Sequence, residues 1–327
     1  MGAEPGAEDY PRTQLEFEDR FRTEADCRAY LVALRWPQGF VCPACKGHAA
    51  WRTTRDRVEC AACHAQRSLT AGTIFHKTHK PLRLWFRAMW WLTSQKYGAN
   101  AMGLQRVLGL GSYRTAWTWL HKLRRAMVRP ERDRLSGTVE VDETFVGGVE
   151  AGGGRRHVGK KALVAIAAEV RGRTIGRIRM RRIRDSSADS LRPFIQEAIM
   201  PSHVVVTDGL PTYLGLPEWG YHHARKVILG SGNPAPVARP RVHRVASLLD
   251  RWWLGTYQGA IRPQHLDYSL DEFTFRFNRR TSRSRGKLFY RLVQQAAAIT
   301  PTPYQALVGG RPQQNRSKVH TPQSPTS

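Results

Sequence analysis

Apolar residues in the first 130 positions recur at helical intervals. From residue 14 to residue 35 they predict one or two short helices, and a tryptophan-rich pattern over residues 81–96 predicts a buried helix. Two further apolar segments, 101–108 and 113–127, flank the turn-forming sequence Gly109-Leu-Gly-Ser112. Two helices joined by a short glycine-containing turn are typical of a helix-turn-helix, although a plain helical hairpin with a basic outer face has the same pattern.

From residue 137 onward the pattern alternates with period two, which is typical of strands. In the segment 137–148, Val139 and Val141 share one face, whereas Glu140 and Asp142 share the other. The elements predicted after it are strands 162–169 and 174–180, helix 187–199, strands 203–208 and 224–229, and helix 241–254. Three strands, a helix, two strands and a helix in this order predict a mixed α/β sheet of the ribonuclease-H type.

The charge balance is strongly positive. The 327 residues contain 52 Lys and Arg against 26 Asp and Glu, a formal net charge of +26. An excess of this size over a folded length favours a polyanionic partner, so DNA or RNA is the expected partner class. The mostly apolar run from Leu82 to Leu92 is short and contains Arg83 and Arg87, and no basic-then-apolar start is visible, so a secretion signal is not expected. We therefore expect a cytoplasmic protein without a membrane segment.

Four of the five cysteines form two closely spaced pairs. Cys42 and Cys45 are separated by two residues, as are Cys60 and Cys63. Two such knuckles that face one point can coordinate Zn2+ tetrahedrally through four sulfurs. Two disulfides are the alternative, but Cys27 is left over and no secretion signal is present. The spacing predicts a structural zinc ribbon.

The changes of pattern along the chain predict five segments. They are N-terminal helices over residues 1–35, a zinc ribbon over 36–70, a helix-turn-helix-like DNA-binding segment over 80–128, a ribonuclease-H-like domain over 136–300 and a disordered tail over 309–327. The tail is rich in Gly, Pro, Gln, Ser and Thr, which cannot form an apolar core.

Two acids are placed for metal chemistry. Asp142 lies midway along the first predicted strand and Asp208 at the end of the fourth, and these strands are neighbours in a ribonuclease-H sheet. The two carboxylates then converge and would repel unless a hard divalent cation, Mg2+ or Mn2+, lies between them. Sites of this kind catalyse phosphodiester hydrolysis and transfer. The alternative is two unrelated acids that cap turns.

The helix after the last strand offers a third ligand. His243 is the best-placed candidate; it could instead carry a proton or face phosphate as a cation. Asp250 follows seven residues later on the same helix face, about 10 Å away, so both cannot readily bind one ion.

Several motifs together resemble those of bacterial insertion-sequence transposases of the IS1595 type. They are the two cysteine knuckles, Val141-Asp-Glu-Thr-Phe-Val-Gly-Gly148, Val206-Thr-Asp-Gly209, Gly255-Thr-Tyr-Gln-Gly259 and Asp271-Glu-Phe-Thr-Phe-Arg-Phe-Asn-Arg-Arg280. The resemblance extends from about Cys42 to Ala297. It implies a zinc ribbon, a helical DNA-binding segment and a DDE-type ribonuclease-H-like domain. It also implies binding of terminal inverted repeats, metal-dependent strand cleavage and strand transfer.

Carried onto this sequence, the resemblance implies that Asp142 and Asp208 are the first two metal ligands and that His243 takes the third position. Glu143 points to the opposite strand face and is not expected to be a ligand, whereas Glu140 is a lesser candidate. Relatives commonly have Lys where this chain has Asp250. That departure keeps open an alternative, a catalytically inactive DNA-binding protein derived from a transposase.

The expected partner is double-stranded DNA, both the element ends and the target, and synapsis of two ends favours a homodimer or higher oligomer. A ribonuclease-H-like RNA nuclease is a weaker alternative, because nothing resembles a module that binds single strands or hybrids. The residues expected to contact DNA are Arg114, Lys122, Arg124 and Arg125 in the second helix of the pair, Arg155, Arg156, Lys160 and Lys161 in a glycine-rich loop, and Arg279 and Arg280 with the following Arg283, Arg285 and Lys287.

Overall fold

In a computed structural model, the chain divides into two units. The structure describes residues 8–53, 57–129, 131–147, 161–226, 239–257 and 263–309. The first unit comprises the described parts of residues 1–132, 252–258 and 271–308, and the second those of residues 133–251 and 259–270, with residue 309.

Helices dominate the first unit. They are α1 (Gln14–Arg20), α2 (Glu24–Arg35), α3 (Leu82–Ser94), α4 (Ala101–Leu108), α5 (Tyr113–Ala126), α9 (Arg285–Ala298) and α10 (Tyr304–Val308), and a small sheet contains β1 (Ala50–Arg52), β2 (Arg57–Cys60) and β3 (Gln66–Ser68). Thr23 and Asp26 form a capping box at the start of α2. The Glu24 carboxylate accepts the backbone N–H groups of Leu82 at 2.8 Å and Arg83 at 3.0 Å, so it caps α3.

An aromatic cluster fills the core of the first unit. Its centre is Phe289 on α9, which is fully buried. Its ring centroid lies between 5.4 and 6.3 Å from those of Phe17, Phe21, Tyr30, Phe86 and Trp90. The expectation that residues up to 300 belong to the sheet domain is therefore wrong for α9, because its apolar face is buried against α2 and α3.

The predicted helix pair is present as α4 and α5. Gly109 ends α4 with φ of 60°, a left-handed conformation that glycine adopts without steric cost. Asn100 begins α4 and accepts the Gly103 backbone N–H at 2.7 Å. One face of α5 is buried through Ala116, Leu120 and Leu123.

The second unit contains a five-stranded mixed sheet. Its strands are β4 (Thr138–Val146), β5 (Ala162–Arg171), β6 (Thr174–Ile183), β7 (Val204–Thr207) and β8 (His222–Arg225), in the order β6-β5-β4-β7-β8. The first three form an antiparallel meander, whereas β4 pairs with β7, and β7 with β8, in parallel. This confirms the predicted ribonuclease-H arrangement and the mixed α/β class.

Helices complete the second unit. They are α6 (Ala188–Ala198), α7 (Pro240–Tyr257) and α8 (Leu266–Phe277), of which residues 252–257 and 271–277 are counted with the first unit; single 3-10 turns lie at Pro211–Tyr213 and Pro263–His265. Leu191 and Ile195 of α6 pack on Val139, Val141 and Val205 of the sheet. The last strand begins two residues earlier than expected, and residues 227–229 lie outside the described part. Among the described helices, none has the length and apolarity needed to cross a membrane.

Candidate active site and cysteine cluster

Asp142 and Asp208 lie side by side on neighbouring parallel strands. Glu140 of β4 is in register with Val206 of β7. Asp142 follows Glu140 by two residues, and Asp208 follows Val206 by two, so the two aspartates lie at the same level of the sheet. β4 is the central strand of the sheet, and side chains of period two place Asp142 on the face opposite Val141. The structure therefore brings the two carboxylates together, as the strand order predicts.

A buried arginine lies between the two carboxylates. Arg239 Nη1 is 2.9 Å from Asp142 Oδ2, and Arg239 Nη2 is 4.0 Å from Asp208 Oδ2. Only 4 % of the Arg239 side chain is exposed. The sequence carries no signal for this role, because Arg239 is one arginine among many and precedes the first residue of α7.

His243 contacts the same aspartate from the first turn of α7. Its Nε2 is 3.5 Å from Asp142 Oδ2. Burial raises the pKa of Asp142, and this outweighs the opposite effects of Arg239 and His243. Asp142 therefore lies between a guanidinium and an imidazole, at the point where β4 faces the start of α7.

Glu140 anchors the helix that carries these side chains. Its buried carboxylate accepts the backbone N–H groups of Arg241 at 2.8 Å and Val242 at 3.0 Å, and the Arg241 guanidinium is 3.3 Å from its other oxygen. The first N–H groups of a helix have no partner within the helix, and the Glu140 carboxylate accepts two of them at the start of α7. Its negative charge also interacts favourably with the helix dipole. Glu140, a lesser candidate for metal binding, is therefore engaged in capping.

Glu143 faces the other side of β4. Its carboxylate accepts a hydrogen bond from the hydroxyl of Tyr213, whose ring packs in the apolar core beside Val141. Burial raises the pKa of Glu143 to about 7. The charges of Asp142 and Asp208 raise the same pKa, so Glu143 lies within electrostatic range of the two aspartates.

The donor set of Asp142, Asp208 and His243 fits a hard divalent cation. Two carboxylates and one imidazole are ligands that Mg2+ or Mn2+ accepts, with a preference for Mn2+ from the nitrogen. Arg239 is already held at the same carboxylate oxygens, which shows that a cation fits between them. Within the described residues, only the cysteines bring three or more ligand atoms within 4.8 Å of one another, so the three site residues are not closed around one point.

The four cysteines form a closed cluster. Cys42 Sγ lies 3.7 Å from Cys63 Sγ, and Cys45 Sγ lies 3.5 Å from Cys60 Sγ. Zn–S bonds of about 2.3 Å in a tetrahedron place sulfurs about 3.8 Å apart, so the cluster has the size of a zinc site. Backbone N–H groups of Cys45 and Ala44 lower the pKa of the Cys42 thiol to about 6.

The two knuckles have the same backbone form. Lys46 and His64, each directly after the second cysteine of its pair, adopt left-handed φ values of 64° and 56°. Their N–H groups donate to the carbonyls of Cys42 and Cys60, at 2.9 and 3.0 Å. A Cβ at Gly47 would lie 3.3 Å from the Ala62 Cβ and 3.4 Å from Cys45 Sγ, so the cluster leaves little room for a side chain there.

Arg124 is not available to DNA, which corrects the expectation. Its side chain is 2 % exposed, and Nε donates to Glu272 Oε2 at 2.9 Å. The same guanidinium donates to the Ala99 carbonyl at 2.6 Å and to the Tyr257 hydroxyl. Glu272 also accepts from Arg276 Nε at 3.0 Å. Arg124 therefore belongs to a buried ion-pair network inside the first unit.

The other expected DNA contacts are dispersed and more accessible. Arg114 is exposed with its guanidinium 4.0 Å from the Tyr304 ring centroid, whereas Lys122, Arg125 and Lys161 are half-buried. Arg279 is half-buried over Phe275, and burial lowers its pKa to about 10. Three arginines of the following stretch are exposed: Arg280, Arg283 and Arg285. Lys287 pairs with Glu8 at 2.8 Å, and Asp250 is exposed. The loop residues Arg155, Arg156 and Lys160 lie outside the described residues.

Two solved structures align with the chain at low similarity. One, a simian T-cell lymphotropic virus intasome in complex with the PP2A regulatory subunit B56 gamma, has a TM-score of 0.32 and 13 % identity over 58 % of this chain and 70 % of that chain. The other, a pre-cleavage Mos1 transpososome, has a TM-score of 0.27 and 12 % identity over 68 % of this chain and 81 % of that chain. At these TM-scores neither alignment bears on the site.

Sequence comparisons agree with the motifs. An uncharacterized protein in transposable element ISH50 of Halobacterium salinarum is 29 % identical over 130 residues, and the match spans 38 % of this chain and 43 % of that relative. The transposase zinc-ribbon domain matches residues 22–66, and the ISXO2-like transposase domain matches residues 134–278, which contain both site aspartates and His243. With these two domains in this order, the chain belongs to the IS1595-type transposases.

Proposed function

We propose that this protein is an active transposase that binds the terminal inverted repeats of its element, cleaves the strands and joins the 3′-hydroxyl ends to target DNA. The observation that supports this most directly is the pair Asp142 and Asp208, held on adjacent parallel strands with His243 3.5 Å from Asp142. Placed together on a sheet of ribonuclease-H order, these side chains have the composition of a phosphodiester-cleaving site.

Each side chain has a defined task in this proposal. Asp142 and Asp208 hold divalent cations through carboxylate oxygens, and His243 either binds through Nε2 or moves a proton. When bound there, Mg2+ or Mn2+ supplies the activation of water or a 3′-hydroxyl and the stabilisation of the leaving oxygen. Glu140 keeps the first turn of α7 in place, so His243 stays directed toward Asp142.

DNA is held by the accessible cations and by the ribbon. Arg114, Lys122 and Arg125 of α5, with Lys161 and the basic stretch after Phe277, are proposed to contact phosphates. The residues of that stretch are Arg279, Arg280, Arg283, Arg285 and Lys287, and the proposal extends to Arg155, Arg156 and Lys160 of the glycine-rich loop. The ribbon, with Zn2+ bound by its four cysteines, is proposed to take part in recognising the element ends, and synapsis of two ends is proposed to need at least a dimer.

The test is cleavage of a labelled duplex that carries the element's end, in Mg2+ and in Mn2+. Asp142→Ala and His243→Ala are expected to abolish cutting while they retain duplex binding. Asp189→Ala, which removes an exposed acid from α6 of the same unit, is the matched control and is expected to cut like the wild type.

A wild-type protein that binds the duplex but cuts in neither metal would refute the catalytic proposal. The inactive DNA-binding derivative is then the better description, and Asp250→Lys, which restores the residue common in relatives, shows whether Asp250 causes the loss. Preferential cleavage of an RNA–DNA hybrid would instead favour the nuclease alternative.

A further inference from the structure

The position of Arg239 has a consequence for metal loading, and this inference rests on the proposed metal site. The guanidinium lies against Oδ2 of Asp142 and faces Oδ2 of Asp208. These are the same oxygens that would bind a divalent cation. A divalent cation and a guanidinium compete for these two oxygens, because two positive charges at this separation repel each other.

The guanidinium is not fully satisfied where it lies. Its Nε and Nη1 are buried, and neither makes a hydrogen bond among the residues that the structure describes, although Nη1 lies 2.9 Å from Asp142 Oδ2. A buried donor without a partner is unfavourable, so the carboxylates hold Arg239 with only part of its hydrogen-bonding capacity. A divalent cation that binds the two aspartates more strongly can therefore displace the guanidinium.

The backbone beside Arg239 is fixed while its side chain is the part that can move. The N–H groups of Arg241 and Val242 bind Glu140, and α7 begins at Pro240. The Cα of Arg239 is therefore tied to the start of a capped helix, so release of the carboxylates calls for movement of the Arg239 side chain and not of its backbone.

We propose that Arg239 is the internal counter-cation of the site and competes with the divalent metal for Asp142 and Asp208. It keeps the two carboxylates together before metal binds, and it sets the metal concentration at which they are released. Metal affinity is thus lower than the aspartates alone would give, and loading is coupled to movement of one side chain.

The experiment is a titration of Mn2+ followed by the EPR signal of free Mn2+, on full-length protein with its zinc content verified. Arg239→Gln is expected to bind Mn2+ more tightly than the wild type, by about tenfold or more, which corresponds to 1.4 kcal/mol or above. Arg244→Gln removes the same charge from an exposed position of the same helix and is expected to match the wild type. Asp142→Asn is expected to remove the binding in either background.

A second variant guards against loss of folding. Arg239→Lys keeps the positive charge, and its Mn2+ affinity is expected to lie between those of the wild type and Arg239→Gln, with near-UV circular dichroism unchanged. Equal or weaker Mn2+ binding by Arg239→Gln, while Asp142→Asn still removes it, would overturn the role of Arg239 and leave the metal site standing. Mn2+ binding that ignores Asp142→Asn in both backgrounds would overturn the metal site and the competition together.

Discussion

Two cations only two residues apart on α5 are expected to behave in opposite ways. Arg124 is buried in an ion pair with Glu272, whereas Lys122 is half-buried and burial lowers its pKa. Replacing each with glutamine removes one positive charge from nearly the same place in the sequence. We expect Arg124→Gln to unfold the first unit more easily and Lys122→Gln to weaken DNA binding.

The expected loss follows from the contacts of Arg124. Removal of one partner from a buried ion pair destabilises by about 3–5 kcal/mol, because the other charge is left uncompensated. Glu272 keeps Arg276 at 3.0 Å and the Ala99 N–H at 3.1 Å, so the lower end of that range applies. With a urea m-value of about 2 kcal/mol/M, a loss of about 3 kcal/mol lowers the unfolding midpoint by about 1.5 M.

Urea unfolding followed by tryptophan fluorescence measures this loss. Trp85 and Trp119 stack with ring centroids 3.8 Å apart in the same unit, so their emission reports its packing. The second measurement is the affinity for a DNA duplex as a function of salt concentration. Lys122→Gln should reduce the salt slope by about one and leave stability within about 0.5 kcal/mol. The reasoning is refuted if Arg124→Gln costs less than about 1 kcal/mol and instead reduces the salt slope.

Three further outcomes are expected. Cys63→Ser should lose the bound zinc, measured as metal content per chain, because three sulfurs no longer close the tetrahedron; retention of one zinc would contradict the cluster. Burial alone would raise the pKa of Glu169, but hydrogen bonds from Arg177 and the Ser136 N–H outweigh it and hold the pKa below 4.5. A lowered pKa stabilises the fold above pH 4.5, so Glu169→Gln should flatten the loss of stability seen as pH falls below 4.5 in urea unfolding; an unchanged pH profile would count against the pair. Glu140→Gln should destabilise the second unit by about 2 kcal/mol in the same assay, and a loss below about 0.5 kcal/mol would exclude it as the cap of α7.

The strand order and the positions of the two aspartates were predictable because both follow from patterns of apolar and polar residues within a few positions along the chain. The alternation around Val139 and Val141 indicates which side of β4 carries Asp142. The apolar run before Asp208 indicates a buried strand that ends there. A sheet of this order then has few alternative ways to place the two carboxylates, so their meeting follows from topology.

The contacts of Arg239 and Glu140 were not predictable in the same way. Glu140 lies 101 positions before Arg241, and nothing local to either residue distinguishes a helix cap from a metal ligand. Both acids of β4 that face the site have the same pattern in sequence, and only the position of α7 separates their roles. Pairings of this kind depend on tertiary packing, which periodicity does not encode.

Arg124 is a case in which a signal was present in the sequence. It follows Leu120 by four residues, so it lies on the apolar face that Ala116 and Leu120 define. A charged residue on that face predicts a buried partner rather than a solvent contact, and a Glu in the apolar stretch near residue 272 is such a partner. The expected contact of Arg124 with DNA is wrong because the helix face that a cation occupies decides whether it reaches solvent.

The central place of Phe289 in the first unit has a consequence for biosynthesis. The rings that surround it belong to α1, α2 and α3, yet Phe289 leaves the ribosome about 200 to 270 residues after them. The aromatic core stays open until α9 is made, whereas the sheet of the second unit is complete in sequence by residue 225 and can fold first. A copy of the element truncated before α9 would then yield a folded sheet attached to an exposed, aggregation-prone aromatic surface, and chaperones would be needed to keep such a chain in solution.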